Sequence, residues 1–116
     1  MVNIYQGNDR FLKFTRQDID GNPILTTPQA LYFTVKRTAQ SVEYIFQKSL
    51  DGGITQQEDG SWLIHIVPSD TRYLAFGKYF CDVKVVDENG YKFTIVKPQE
   101  FNVLDVSTRV ENEASV

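Results

Sequence analysis

The sequence predicts an all-β fold: an antiparallel two-sheet sandwich with one short helical turn near 69–76. Three observations carry this prediction. Apolar residues recur at every second position, as in Leu31-Tyr32-Phe33-Thr34-Val35-Lys36 and Tyr79-Phe80-Cys81-Asp82-Val83-Lys84-Val85, the period of half-buried strands whose successive side chains point to opposite faces. Four turn clusters punctuate the chain: Asp20-Gly21-Asn22-Pro23, Asp51-Gly52-Gly53, Asp59-Gly60 and Asn89-Gly90. Gly, Asn and Asp tolerate the backbone that tight hairpins need. One segment alone, 68–77, carries helix signals: a Ser or Asp suited to an N-cap and Gly77 suited to a C-terminal stop.

The elements follow in order. Strands are expected at 2–6 and 10–17, the second carrying Arg10, Lys13 and Arg16 as solvent-facing charges that protect a sheet edge. Segment 23–30, with Pro23 and Pro28, reads as an extended crossover between sheets. The third strand, 31–37, puts Leu31, Phe33 and Val35 on one face. Strands at 43–50 and 54–57 flank Asp51-Gly52-Gly53. The strand at 61–67 groups Trp62, Ile64 and Ile66 opposite His65, and the strand at 78–87 groups Tyr79, Cys81, Val83 and Val85. Strands at 91–97 and 100–106 complete the set, the first alternating Tyr91, Phe93 and Ile95 with Lys92, Thr94 and Val96. Residues 1–106 are read as a single domain and 107–116, which lose the alternation, as a mobile tail.

Composition narrows the function classes. The chain has 116 residues, 41% hydrophobic and 13% aromatic, the size of one domain and too apolar for a disordered chain. Its single cysteine excludes an intrachain disulfide. Its net charge of −3 argues against a nucleic-acid partner. No apolar run approaches the ~20 residues of a membrane helix, and no secretory leader pattern opens the chain. No membrane partner is therefore expected, and synthesis is placed in the cytoplasm.

Candidate chemistry is sparse. Asp18-Ile19-Asp20-Gly21-Asn22 invites a calcium reading, but counted from Asp18 the Gly falls at position 4 and Gln29 at position 12, where an EF-hand needs Gly at 6 and Glu at 12; a hairpin turn is the reading preferred. His65 is the lone histidine, so metal sites built on several His or Cys are excluded by count. No Gly-x-Ser-x-Gly elbow positions a serine, and Asp51, Glu58 and Asp59 all sit at turns. No enzyme, no metal and no cofactor is expected. Tyr5, Tyr32, Tyr44, Tyr73, Phe80 and Tyr91 do not all fit one small core, and Tyr32, Tyr44, Phe80 and Tyr91 are the candidate interaction surface.

The stretch from Ser69-Asp70-Thr71 to Tyr79-Phe80-Cys81 resembles the turn into the sixth strand of immunoglobulin-like domains, where an Asp-Thr pair precedes Tyr-x-Cys. The resemblance implies a structural corner of Tyr79, Leu74 and Gly77, with the Tyr79 hydroxyl bonded to backbone upstream. Cys81 lacks a partner and Trp62 lies one strand before the corner, so the antibody-type bridge is missing, and Cys81 is read as a buried apolar residue. Over residues 3–108 the order of motifs is similar to the immunoglobulin-like β-sandwich domain of tailed-phage baseplate upper proteins and related small phage or prophage virion proteins. The motifs are Asn3-Ile4-Tyr5-Gln6-Gly7-Asn8-Asp9-Arg10, Asp18-Ile19-Asp20-Gly21-Asn22-Pro23-Ile24, Phe33-Thr34-Val35-Lys36, Pro68-Ser69-Asp70-Thr71, Gly77-Lys78-Tyr79-Phe80-Cys81-Asp82-Val83 and Phe101-Asn102-Val103-Leu104-Asp105-Val106-Ser107-Thr108. That resemblance implies a non-enzymatic structural protein of a virion, tail or baseplate, assembled in the bacterial cytoplasm. Its partners would be other virion or tail proteins and further copies of itself, a homo-oligomer. The alternative expectation is a carbohydrate-binding module recognising host cell-surface glycans.

Overall fold

The computed structural model describes residues 1–105; the expected tail at 107–116 and the last residue of the 100–106 strand lie outside them. The fold is all-β. Eight strands, β1 (Val2–Tyr5), β2 (Arg10–Phe14), β3 (Ala30–Lys36), β4 (Phe46–Leu50), β5 (Gly53–Gln56), β6 (Trp62–Ile66), β7 (Gly77–Val86) and β8 (Lys92–Leu104), accompany one short helix, α1 (Pro68–Thr71). Their hydrogen bonds form one continuous ladder in the order β1-β8-β7-β3-β4-β5-β6-β2, curled around a core, whereas the sequence predicts two sheets.

Two pairings correct the expectation of a wholly antiparallel sheet. β1 runs parallel to β8, Val2 opposite Phe101 and Tyr5 opposite Leu104. β4 and β5 pair in parallel over only Ser49–Gly53 and Leu50–Ile54. A true side-by-side parallel pair needs a crossover of a dozen or more residues, so a two-residue link marks a corner at which the chain coils once and continues. Asp51 (φ 63°) and Gly53 (φ 107°) supply the left-handed backbone there. A Cβ on Gly53 would stand 2.7 Å from Lys48 Cδ, so glycine is required for space as well as for φ.

Element boundaries shift for local reasons. β2 stops at Phe14, short of residue 17, because the chain turns into its own small hairpin: Ile24 N–H bonds to Arg16 O at 2.8 Å and Asp18 N–H to Asn22 O at 2.9 Å. β4 begins at Phe46 because 38–41 form a turn closed by the Thr38 and Ser41 hydroxyls, 2.8 Å apart. The helical turn is four residues long and ends before 76, since Leu74 N–H bonds to Thr71 O at 3.0 Å, a tightened closing turn. The two expected strands 91–97 and 100–106 are one strand. From Cys81↔Gln99 to Lys84↔Thr94, β7 advances three residues and β8 five. These bulges absorb Pro98, which has no N–H to donate.

The core lies inside the curl. Leu31, Phe33 and Val35 of β3, Trp62, Ile64 and Ile66 of β6, and Tyr79, Cys81, Val83 and Val85 of β7 are all buried, with Ile4, Ile54, Phe101 and Val103. The Phe33, Phe46 and Phe101 rings meet at centroid distances of 6.0–6.3 Å in tilted and edge-on contacts, the arrangement favoured by ring quadrupoles. No helix among the described residues is long and apolar enough to cross a membrane.

Candidate functional site: an open seam beside the second strand

The ladder does not close on itself, and the reason is in the chain order. β1 pairs with β8 only over Phe101–Leu104. A turn at 6–9 then carries the chain across to β2, which joins β6 at the other end of the ladder. Among the described residues, the flanks without a strand partner include β2 along its whole length and residues 92–100 of β8. No residue of β2 is buried. Phe93 and Ile95 remain 52% and 36% exposed although Phe93 stands directly opposite the buried Val85. They are inner-face positions that no described strand covers.

Two hollows open along this seam. One, of about 820 Å³, lies between the 15–24 segment and β8 and is lined by Ile19, Ile24, Val85, Phe93 and Ile95. The other, of about 180 Å³, lies between β2 and the bulged part of β8 and reaches the core at Leu12, Phe14, Phe33, Ile64, Val83 and Val96. Ile19 is wholly exposed at the rim of the larger hollow.

One polar cluster holds the larger hollow open. Arg16 is buried, and its Nη1 donates to Thr26 O at 3.1 Å and to Glu88 Oε1 at 3.3 Å. The Thr26 hydroxyl donates to the same Glu88 oxygen at 2.8 Å, and Gln29 Nε2 to Glu88 O at 3.2 Å. The Glu88 carboxyl is held below the usual glutamate value by its own backbone N–H first, then by the Thr26 hydroxyl and Arg16. Segment 15–29 is thereby tied to the β7–β8 turn. The expectation that Arg16 is a solvent-facing charge is corrected: it shares the inward parity of Leu12 and Phe14, and that parity was the signal available in the sequence. Lys13 does face solvent, 3.0 Å from Asp59.

The other singled-out residues lie elsewhere. Tyr32 and Phe80 share the outer face, on the rungs Tyr32↔Lys84 and Lys36↔Phe80, with the Thr34↔Asp82 rung between them. Tyr91 is exposed at the β7–β8 turn and Tyr44 in the link from β3 to β4. The four do not share one rung or one turn. At the corner, the Tyr79 hydroxyl donates to Ala75 O at 2.8 Å, Leu74 packs against the core and Gly77 has φ 137°. Cys81 is buried, and burial, helped by Asp82, pushes its thiol up to about 11. His65 lies on the outer face of β6, stacked on Phe11 at 4.3 Å with Asp9 2.8 Å from Nε2. Asp18 Oδ1 accepts the Asp20 and Asn22 N–H groups, each at 2.9 Å, and so serves its own turn. Among the described residues no group of three or more His, Cys, Asp or Glu is placed to hold a metal ion.

Sequence reasoning missed one further pair. Lys48 Nζ, on the inner side of β4, lies 2.6 Å from Asp70 Oδ2 in α1, with side chains only 12% and 14% exposed. The same Asp70 oxygen accepts Val67 N–H at 2.8 Å.

No family model and no curated protein matches the chain. Among solved structures, a candidate glycoside hydrolase from Bacteroides vulgatus ATCC 8482 is similar, with a TM-score of 0.48 and 16% identity over 93% of this chain. The chain spans 17% of that protein's length, and a likeness of this degree says nothing about activity.

Proposed function

We propose that the chain is a non-enzymatic structural component of a phage or prophage particle, in the tail, the baseplate or another part of the virion, and that it works by protein–protein assembly. In this reading the curled ladder is an immunoglobulin-like sandwich. β1, β8, β7, β3 and β4 form one layer, β5, β6 and β2 the other, and the corner at 51–53 is where the chain passes between them. The strand order, the Tyr79–Ala75 bond and the ordered motifs of the sequence support the fold assignment. The observation that carries the function is the open seam, where Ile19, Ile24, Phe93 and Ile95 form an apolar strip. Contiguous apolar surface on a small domain marks a place where another protein sits. Partners are further copies of the chain and other virion proteins. Sedimentation velocity from about 10 µM to about 1 mM, a range of weak to moderate affinities, combined with capture of purified virion components, tests the proposal. Self-association or specific capture is expected. A strict monomer that captures none of them sinks it.

A further inference from the structure

We infer that the seam is a strand-acceptor site: an extended segment of a partner protein, apolar at alternate positions and acidic between them, adds to the free edge of β2 as a ninth strand. The inference rests on the assembly reading above and names the form the partner takes. Three observations specify a strand over any other occupant. First, every second residue of β2 turns its N–H and C=O away from β6, and an unpaired edge is a template for a further strand. Second, the inner parity of such a strand would lie beside Leu12 and Phe14 and over Phe93, Ile95 and Val96, which line the two hollows; alternate apolar side chains of the incoming segment would fill them. Third, the outward parity lies beside Phe11 and Lys13, and both charged residues of β2 are cations: Lys13 faces outward, 3.0 Å from Asp59, and Arg10, of inward parity, is exposed at the start of the strand. An acidic residue at the outward position beside Lys13 meets the one cation on that face of β2.

The length is set by β2. Its five residues, at roughly 3.3 Å each, span about 17 Å, so five to eight residues suffice. Antiparallel addition is the more stable direction.

The probe is an acetylated eight-residue peptide of alternating valine and glutamate, with two derivatives, one N-methylated at every valine and one at every glutamate. In a strand all residues of one parity direct their N–H groups to the same edge. Addition to β2 therefore predicts that one derivative loses binding at least about tenfold while the other stays within about threefold, a difference of roughly 0.7 kcal/mol or more. Ile95→Glu weakens the parent peptide at least about tenfold, whereas Tyr32→Glu on the outer face leaves it unchanged. Amide exchange of Arg10–Phe14 slows on binding. Absence of binding up to about 1 mM, an equal response to the two derivatives, or an effect of Tyr32→Glu as large as that of Ile95→Glu overturns the inference. If the chain assembles but the peptide fails these criteria, strand addition falls and the assembly reading stands. If the peptide binds as described while the chain neither self-associates nor captures virion components, the virion role falls and the acceptor site stands.

Discussion

Removing one partner of the Lys48–Asp70 pair should cost a large fraction of the total stability. Both side chains are at most 14% exposed, and the charged atoms are 2.6 Å apart, so neither ion regains its hydration when the other is lost. Breaking a buried pair from one side costs about 3–5 kcal/mol, against a total of roughly 5–15 kcal/mol for a domain of this size. The two sides are not equivalent. In Lys48→Met the stem packing beside Phe46 and Gly53 survives and Asp70 keeps its bond from Val67 N–H, so the cost is at the low end, about 3 kcal/mol. In Asp70→Ala the ammonium is stranded and the Val67 N–H loses its acceptor, so the cost reaches about 4–5 kcal/mol. The double variant should cost less than the two singles together, with a coupling of about 1–3 kcal/mol. Urea unfolding followed by the fluorescence of Trp62, the sole tryptophan and fully buried, measures all four states. Single costs below about 1 kcal/mol that simply add would mean that water screens the pair as at a surface, and the account of how β4 is tied to α1 would be wrong.

Three further outcomes follow from the same structure. Tyr79→Phe removes the bond to Ala75 O and should cost about 1 kcal/mol in urea unfolding; a cost near zero would mean the corner is held by packing alone. The folded Cys81 thiol is raised from 9.0 to about 11, so the unfolded thiol ionises first as pH rises. Its stability contribution is complete below pH 9 and is lost between about 9 and 11, by roughly 2–3 kcal/mol, an effect that Cys81→Ala should abolish in pH-dependent melts. The Glu88 carboxyl is shifted the other way, down, so its tether is complete above the ordinary glutamate value and loosens as pH falls through the lowered one. Amide exchange in 15–29 should then accelerate on acidification, and Glu88→Gln should show the faster exchange already at neutral pH.

Alternation in the sequence located the buried faces of β3, β6 and β7 because each strand reports its own parity locally. Arg16 shows where such reading stops. Its parity is inward, but whether an inward position is covered depends on what lies across from it, and Thr26 and Glu88 come from segments 10 and 72 residues away. The same limit hid the seam. Phe93 and Ile95 alternate as core residues do, and only the pairing of β1 with the far end of β8 leaves them open. The two expected strands around Pro98 merge because a bulge accommodates a proline that would otherwise end a ladder, and a bulge is a property of the pair of strands. The Lys48–Asp70 contact joins β4 to α1 across intervening strands, and nothing in either local sequence announces it.

The pairing of β1 with β8 also sets the order of events in folding. It joins side chains 99 positions apart, as in Asn102 Nδ2 to Asn3 Oδ1, so it cannot form until nearly all of the described chain has left the ribosome. Val2 and Ile4 must wait, solvent-exposed, for Phe101 and Val103. Closing so long a loop is slow, and refolding in vitro should show β1 amides gaining protection last. During that interval the whole edge of β8 opposite β7 is open, and a nascent chain is most exposed to mispairing with its neighbours.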